Sequence, residues 1–491
     1  MCILACGVQL EHEINLSGIE MNNQMVSDTL SQLKALLGPK GYHDDAHDLS
    51  PWLVDWRGIY RGAAKALLSP ANVAEVSAIV AIARETGLPI VPQGGNTGMV
   101  GGATPLPSGD SVLLSLRRMN TIRTVDAPSG IAVAEAGVIL SNLHDAALAK
   151  GMRFPLSLGA KGSATIGGLV STNAGGTQVL RFGTMRKLVL GLEAVLPDGS
   201  IYDGLAALKK DNRGYDLTQL LIGAEGTLGV VTAASLKLVP AIGDRAVGWV
   251  GVESPQAALR LLRWLEARTG QAIESFEVVP RDTLELVLEH VPGSRAPLQS
   301  PTAWNVLVEH VSAGGSRAAL EELLGSALEE SMALDAVVSA NEAQAEAFWR
   351  LRDSISEAER AAGPAVQHDI SVPVDSMPDF MESAVARVEA VFPGMKASAF
   401  GHLGDGNVHF HVRAPEGVDG ESWRSGPGKD ASHLVYDLVV DAKGSISAEH
   451  GIGQMKRQEL LRLSDPARIA ALRAIKSALD PAGIMNPGKV L

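Results

Sequence analysis

The sequence predicts an α+β protein of two large domains, and three observations carry that prediction. The chain has 491 residues, about three times the common domain length. Glycine, at 52 of 491 residues, exceeds the usual share of about 7%, and it gathers in three clusters that all precede residue 240. Beyond residue 245 those glycine-rich loops vanish, and amphipathic helices alternate with apolar strands. An apolar content of 46% with 20% charged residues leaves ample material for buried cores and excludes wholesale disorder. With 42 basic against 55 acidic residues the net charge is -13, which repels polyanions, so nucleic acid is not an expected partner.

In chain order, residues 1–24 show no periodicity and form a leader, expected to be disordered, with Met21 and Met25 as alternative starts. The opening MCILACG superficially resembles a lipoprotein cleavage box but lacks a basic leader and a long apolar stretch. Cys2 and Cys6 both fall in this leader, so neither can cross-link a core or build a thiolate cage, which fits a reducing compartment. No apolar run approaches the roughly 18 residues of a spanning helix. From these features a soluble, cytoplasmic protein is expected.

The first domain is assigned to residues 25–242. Helices are expected at 26–40 and 71–87, the second because Val73, Val76, Val80 and Ala83 recur at steps of three and four. The stretch PWLVDWRGIYRG between them is irregular. LPIVPQGG then reads as a strand running into a glycine loop, followed by strands at SVLLSL, Ile131–Ala136, Leu188–Leu196 and Leu228–Leu238. The second domain, 243–446, alternates strands at Val247–Val252 and Ala303–Val311 with helices at Pro255–Ala267 and Ala318–Ser331. It closes with a histidine-bearing strand and turn at 399–413 and a helix at 430–443. Residues 447–491 form a terminal segment, helical at 465–479, that returns to the first domain. Lys489 within it is expected in solvent.

The glycine clusters are PQGGNTGMVGG (Pro92–Gly102), GAKGSATIGGLVSTNAGG (Gly159–Gly176) and IGAEGTLG (Ile222–Gly229). Successive unhindered N–H groups form concave nests for anions such as pyrophosphate, so a nucleotide cofactor is the natural ligand. One such cluster alone would be an ordinary tight turn; three in one domain point to a ligand. Gly223, Gly226 and Gly229 are spaced GxxGxxG rather than GxGxxG, which disfavours a Rossmann NAD site. The P-loop near-match GIMNPGKV has Val490 where magnesium needs a hydroxyl, and no helix can follow it, so ATP is excluded.

GHLGDGNVHFHV (Gly401–Val412) places His402 and His409 seven residues apart across a turn, and SAEHGIG adds Glu449 and His450. Two strand-borne imidazoles facing a carboxylate supply three ligands and leave a coordination position open, the pattern of a catalytic divalent metal. Zinc is the first choice; manganese stays open. Asp405 is read as a turn former.

In order and spacing, the three glycine clusters resemble the flavin-binding domain of the vanillyl-alcohol oxidase type, with PQGGNTG as phosphate loop and EGTLGVVT as the late flavin-contacting strand. The likeness runs from about Leu33 to Leu491 and is to the D-2-hydroxyacid dehydrogenases, which include the D-lactate and D-2-hydroxyglutarate enzymes. It implies a two-domain FAD fold with an α+β substrate (cap) domain. FAD would meet Pro92, Gly94, Gly95, Asn96, Thr97, Gly98 and Met99, then Gly162, Ser163, Gly167, Gly168, Thr172, Asn173, Gly175 and Gly176, and finally Glu225, Gly226, Gly229, Val230 and Asn486. Asn96 stands where covalent members carry a histidine, so the FAD would be non-covalent. The resemblance makes His402, His409 and Glu449 metal ligands and His450 the base that takes the hydroxyl proton while hydride passes to flavin N5. Arg352 and Ser356, four apart and so expected on one helix face, resemble a pair that grips a distal substrate carboxylate. Gln367 stands where those enzymes tend to carry Lys, and His411 where they carry Asn; both are expected near the substrate. The substrate would be a D-2-hydroxyacid, with electrons leaving to an electron-transfer flavoprotein, quinone or cytochrome, and a homodimer as a possible assembly. A metal-dependent hydrolase without flavin, a non-catalytic flavoprotein subunit and an NADPH-dependent reductase are the alternatives.

Overall fold

The structure, a computed structural model, describes residues 24–491. The leader expectation for residues 1–24, with Cys2 and Cys6, lies outside the described residues except at residue 24, which begins a helix over 24–41.

The first domain holds two sheets. A four-stranded sheet runs in the order Tyr42–His43, Leu67–Leu68, Val112–Ser115, Ile90–Gln93, and its last two strands are parallel. The connection between Leu67–Leu68 and Ile90–Gln93 is the helix Val73–Thr86. Asn72 caps its start by accepting the Glu75 N–H, and Gly87 at φ 70° ends it in the left-handed conformation. Val76, Ile79, Val80 and Ala83 bury one face of this helix against Ile90, Val112 and Leu114. A five-stranded antiparallel sheet follows, ordered Ile122–Asp126, Ile131–Glu135, Val230–Lys237, Val189–Val195, Ile201–Gly204. Helices Leu140–Leu148 and Ile166–Thr172 pack upon it through Leu140, Leu143, Ile166, Leu169 and Val170.

The second domain is one antiparallel sheet of seven strands, ordered Asp335–Val338, Asp244–Val252, Trp304–Ser312, Ile273–Pro280, Lys396–His402, Asn407–Arg413, Ala365–Ser371. Helices Pro255–Thr269, Ser316–Glu329, Met377–Val391 and Pro427–Asp441 bury one face of it. The other face meets the helices Glu342–Asp353 and Ile355–Ala362 through Trp249, Phe348, Leu351 and Phe400. Because both faces are covered, its strands lose the alternation of a half-exposed sheet. The strand Ile273–Pro280 was therefore not legible, as it also carries two buried glutamates, Glu274 and Glu277.

The terminal segment does return to the first domain. Met485 bridges Ile90, the Asn486 N–H donates to the Ile90 carbonyl, and Ile484 and Met485 are buried in the first core. Lys489 is not in solvent: it is 2% exposed, and its ammonium has no hydrogen-bond partner among the described residues.

Candidate active site

All three glycine clusters converge on one cavity of about 740 Å³. Pro92, Gly94, Gly95, Asn96, Thr97, Gly98 and Met99 line it from the first loop; Ser163, Gly167, Gly168, Thr172 and Gly175 from the second; Glu225, Gly226, Gly229 and Val230 from the third. Gly162, Asn173, Gly176 and Asn486 are not among the lining residues. Three of these four shape the walls instead. Asn173 (φ 51°) caps the helix Ile166–Thr172 and accepts the Arg186 N–H, and a Cβ on Gly176 would meet the Ser157 carbonyl at 2.2 Å. Asn486 donates from Nδ2 to the carbonyls of Gly102 (3.0 Å) and Glu225 (2.7 Å). The half-exposed Trp56 and the apolar Leu116, Ala136, Leu158 and Val231 also line the cavity. Sequence reasoning missed these, because apolar residues that face a ligand are spaced like those that face a core.

The glycines are demanded by contact between loops. A Cβ on Gly94 would sit 2.4 Å from Thr165 Oγ1, and one on Gly95 only 1.9 Å from the Ser163 carbonyl oxygen. Gly95→Ala must therefore push the first loop away from the second, at an overpacking cost of about 1–3 kcal/mol. The expected outcome is FAD affinity weakened by roughly 10- to 100-fold, measured by titrating the apoprotein with FAD and following flavin fluorescence.

The far end of the cavity is lined by Glu449 and His450, and sheet register explains what lies around them. Residues opposite one another on antiparallel strands point to the same face. Gln367 is paired with His411, Asp369 with His409, Phe400 with His409, His402 with Asn407 and Glu277 with His402. One face of four adjacent strands thus carries Glu277, His402, Asn407, His409, His411, Asp369 and Gln367, while Val408, Phe410 and Val412 enter the core behind.

The structure brings His402 and His409 together, their Nε2 atoms 3.4 Å apart. Arg352 Nη2 stands 2.8 Å from the first and 3.1 Å from the second, and its Nε donates to Glu277 at 2.9 Å. Glu449 is not grouped with the two imidazoles. Its carboxylate clusters with Asp369 and His450, whose ligand atoms lie within 4.8 Å of one another. Asp369 is the residue that sequence reasoning missed. Its Oδ2 accepts the N–H groups of Glu449 (2.8 Å) and His450 (3.0 Å), and its Oδ1 accepts from Asn407 Nδ2 (2.8 Å). Arg352 and Ser356 do not share one helix as expected: the first helix ends at Asp353, Ser354 caps it, and a second begins at Ile355. His411 Nδ1 is hydrogen-bonded to the buried Glu359, and beside it Gln367 Nε2 is buried without a partner among the described residues.

Burial governs the electrostatics. It holds His450 below its ordinary value, with Asp369, 3.6 Å from Nδ1, opposing, so the imidazole is neutral at pH 7. Asp369 lies well below the carboxylate range despite its burial, because His450, Lys456 and the N–H of Glu449 favour its charge. Burial pushes Glu449 up to about 7, against His402. For His402 burial acts downward, yet Glu277 and Asp405 carry it up to about 9; His409 is held low by burial and by the Arg352 guanidinium.

Comparison with known proteins identifies the family. Residues 64–204 match the family described as FAD binding domain, and residues 243–490 match FAD linked oxidases, C-terminal domain. The chain is 38% identical over 467 residues to D-2-hydroxyglutarate dehydrogenase, mitochondrial, of Arabidopsis thaliana, covering 95% of this chain and 82% of the relative. It is 38% identical over 469 residues to the Bos taurus protein of the same name, covering 94% and 83%. The fold is shared with p-cresol methylhydroxylase, at a TM-score of 0.71 and 16% identity over 95% of this chain and 97% of that one. The expectation of a cytoplasmic protein is overturned, since both relatives are named as mitochondrial enzymes. Cysteine count and the lack of a spanning run, on which that expectation stood, do not discriminate between compartments. From the flavin cavity, both family matches and identity along nearly the whole chain, this protein is a flavin-dependent oxidoreductase that belongs to the FAD-linked D-2-hydroxyacid dehydrogenases.

Proposed function

We propose that the enzyme oxidises a D-2-hydroxyacid, such as D-2-hydroxyglutarate or D-lactate, to the 2-oxoacid with the help of a divalent metal ion. The observation that carries this reading is the His450 imidazole lining the end of the flavin cavity, beside two converging imidazoles. FAD, when bound in the glycine-walled cavity, supplies the hydride acceptor. His450 takes the proton of the substrate hydroxyl, for which a neutral base is required.

Two of the three expected ligands converge, while the third, Glu449, lies with Asp369 and His450. The Nε2 atoms of His402 and His409 converge to 3.4 Å, as two nitrogen donors to one ion would. These two, with Glu449, would hold the ion, which lowers the pKa of a bound hydroxyl. Zinc is favoured by the two nitrogens and manganese is the alternative. The Arg352 guanidinium lies against the same two nitrogens, its Nη2 2.8 and 3.1 Å away and its Nε on Glu277, so its Nη2 would have to draw aside for an ion to be held there. A guanidinium so anchored presents its fork to a substrate carboxylate, with Ser356 and His411 as neighbouring candidates. Electrons leave to an external acceptor, an electron-transfer flavoprotein, quinone or cytochrome. A hydrolase without flavin has no use for a cavity walled by three glycine loops.

The test is an anaerobic spectral titration with D- and L-lactate, D- and L-2-hydroxyglutarate, D-malate and glycolate, before and after chelation. One D-acid is expected to bleach the flavin, with bleaching lost on chelation and restored by zinc or manganese. Bleaching that survives complete metal removal would overturn the metal; a flavin that none of the acids bleaches would overturn the substrate class.

A further inference from the structure

We propose that Asp369 and Glu225, one from each domain, are positioning residues that grip the two ends of the segment 449–453 and thereby set His450 in the cavity; this rests on the reading of His450 as the base. The segment has no regular secondary structure of its own, so its position has to come from its partners. Asp369, on the edge strand Ala365–Ser371 of the cap sheet, accepts the N–H groups of Glu449 and His450 at 2.8 and 3.0 Å. Glu225, from the third glycine loop of the flavin domain, accepts those of Ile452 at 2.7 Å and Gly453 at 2.8 Å, one on each oxygen. Four amides of five consecutive residues are thus held by two buried carboxylates that lie 144 positions apart in sequence (369 minus 225).

The residue left over is Gly451, and it sits at φ 81°. A Cβ there would stand 2.8 Å from Glu225 Oε1, so the closeness of the carboxylate itself excludes a side chain. Each carboxylate is fixed in turn. Asn407 holds the second oxygen of Asp369. Glu225 (φ 51°) is pinned through its carbonyl, which accepts from Asn486 at 2.7 Å. The buried Lys456 ammonium donates to the carbonyls of Asp369 and Ile446 and compensates the charge of both carboxylates. With both Glu225 oxygens occupied by protein amides, its part at the flavin wall is to place the segment. Asp369 does more: its carboxylate faces the His450 ring, 3.6 Å from Nδ1.

The experiment combines Asp369→Asn and Glu225→Gln with His450→Gln in the flavin-loaded enzyme. A carboxamide keeps the size: Glu225→Gln sets an N–H₂ against one of its two amides, and Asp369→Asn removes the charge and sets an N–H₂ against either Asn407 Nδ2 or the amide pair that shares one oxygen. Each single variant is expected to slow flavin reduction at saturating hydroxyacid roughly 10- to 100-fold, the scale of a misplaced reacting group, with little change in KM. Neither is expected to slow the His450→Gln enzyme further, because both act through that imidazole. Amide hydrogen exchange gives a readout independent of turnover: exchange should rise at residues 449–450 in Asp369→Asn and at 452–453 in Glu225→Gln. Full additivity with His450→Gln, or unchanged exchange in the segment, overturns the proposal while leaving His450 as base. If His450→Gln itself reduces flavin at the wild-type rate, the base reading falls, and the proposal with it.

Discussion

Replacing His450 by glutamine is expected to slow flavin reduction by a D-2-hydroxyacid by roughly 10²- to 10⁴-fold, the usual contribution of a positioned general base, while FAD binds in normal amount. The imidazole lines the end of the cavity, and its burial, which outweighs the pull of Asp369, holds its pKa below the ordinary value. Its two acidic neighbours cannot take over. Asp369 is ionised, but its oxygens already accept from Glu449, His450 and Asn407; Glu449 is the proposed ligand. Glutamine retains the polar bulk and removes the basic nitrogen, so the change isolates proton transfer from packing. Anaerobic stopped-flow reduction at saturating acid is the measurement. A rate within about threefold of the wild type would place the base elsewhere.

The second large effect is expected far from the chemistry. Glu274 has no solvent exposure. It receives Arg153 at 2.5 and 2.6 Å, Arg181 at 3.0 Å and Gln178 at 3.0 Å. All three donors belong to the flavin domain, whereas Glu274 belongs to the cap sheet, so the cluster fastens one domain to the other. Glu274→Leu leaves two largely buried guanidiniums without their counter-charge, and removing one partner of a buried ion cluster costs about 3–5 kcal/mol. Burial alone would raise the Glu274 pKa, yet the hydrogen bonds and charges of Arg153 and Arg181 hold it below the ordinary range. A carboxyl with a lowered folded pKa stabilises at pH values above its unfolded value of about 4.3 and loses that contribution as pH falls through the folded value. Denaturation midpoints of wild type and Glu274→Leu should therefore differ most at neutral pH and draw together below about pH 4. Equal midpoints at pH 7 would show that the cluster does not hold the junction.

What was legible in the sequence follows from the range of each interaction. The glycine clusters were readable because their requirement is local: only a missing Cβ lets Gly95 approach Ser163, whatever else surrounds them. His402 and His409 were readable as a pair because one turn joins their strands, so register is fixed within a dozen residues. Asp369 was not, since its three partners come from segments 38, 80 and 81 positions away, and a lone Asp in a strand carries no sign of them. The expected Arg352 and Ser356 helix failed for another reason. Spacing of four predicts a shared face only if the helix continues, and the break at Ser354 has neither glycine nor proline to announce it. Glu274 and Glu277 concealed their strand, because buried ion partners supplied by other segments turn acidic residues into interior ones.

The contacts of residues 476–490 bear on when the third glycine loop can reach its final shape during synthesis. Lys476 reaches back to the carbonyl of Thr227, Asn486 to those of Gly102 and Glu225, and the Val490 N–H to that of Gly453. A nascent chain that has emerged only to residue 450 holds all three glycine loops but not the residues that pin the third of them. The third glycine loop therefore gains its contacts to Lys476 and Asn486 only after about 250 further residues have been made, so its final shape is set by partners distant in sequence.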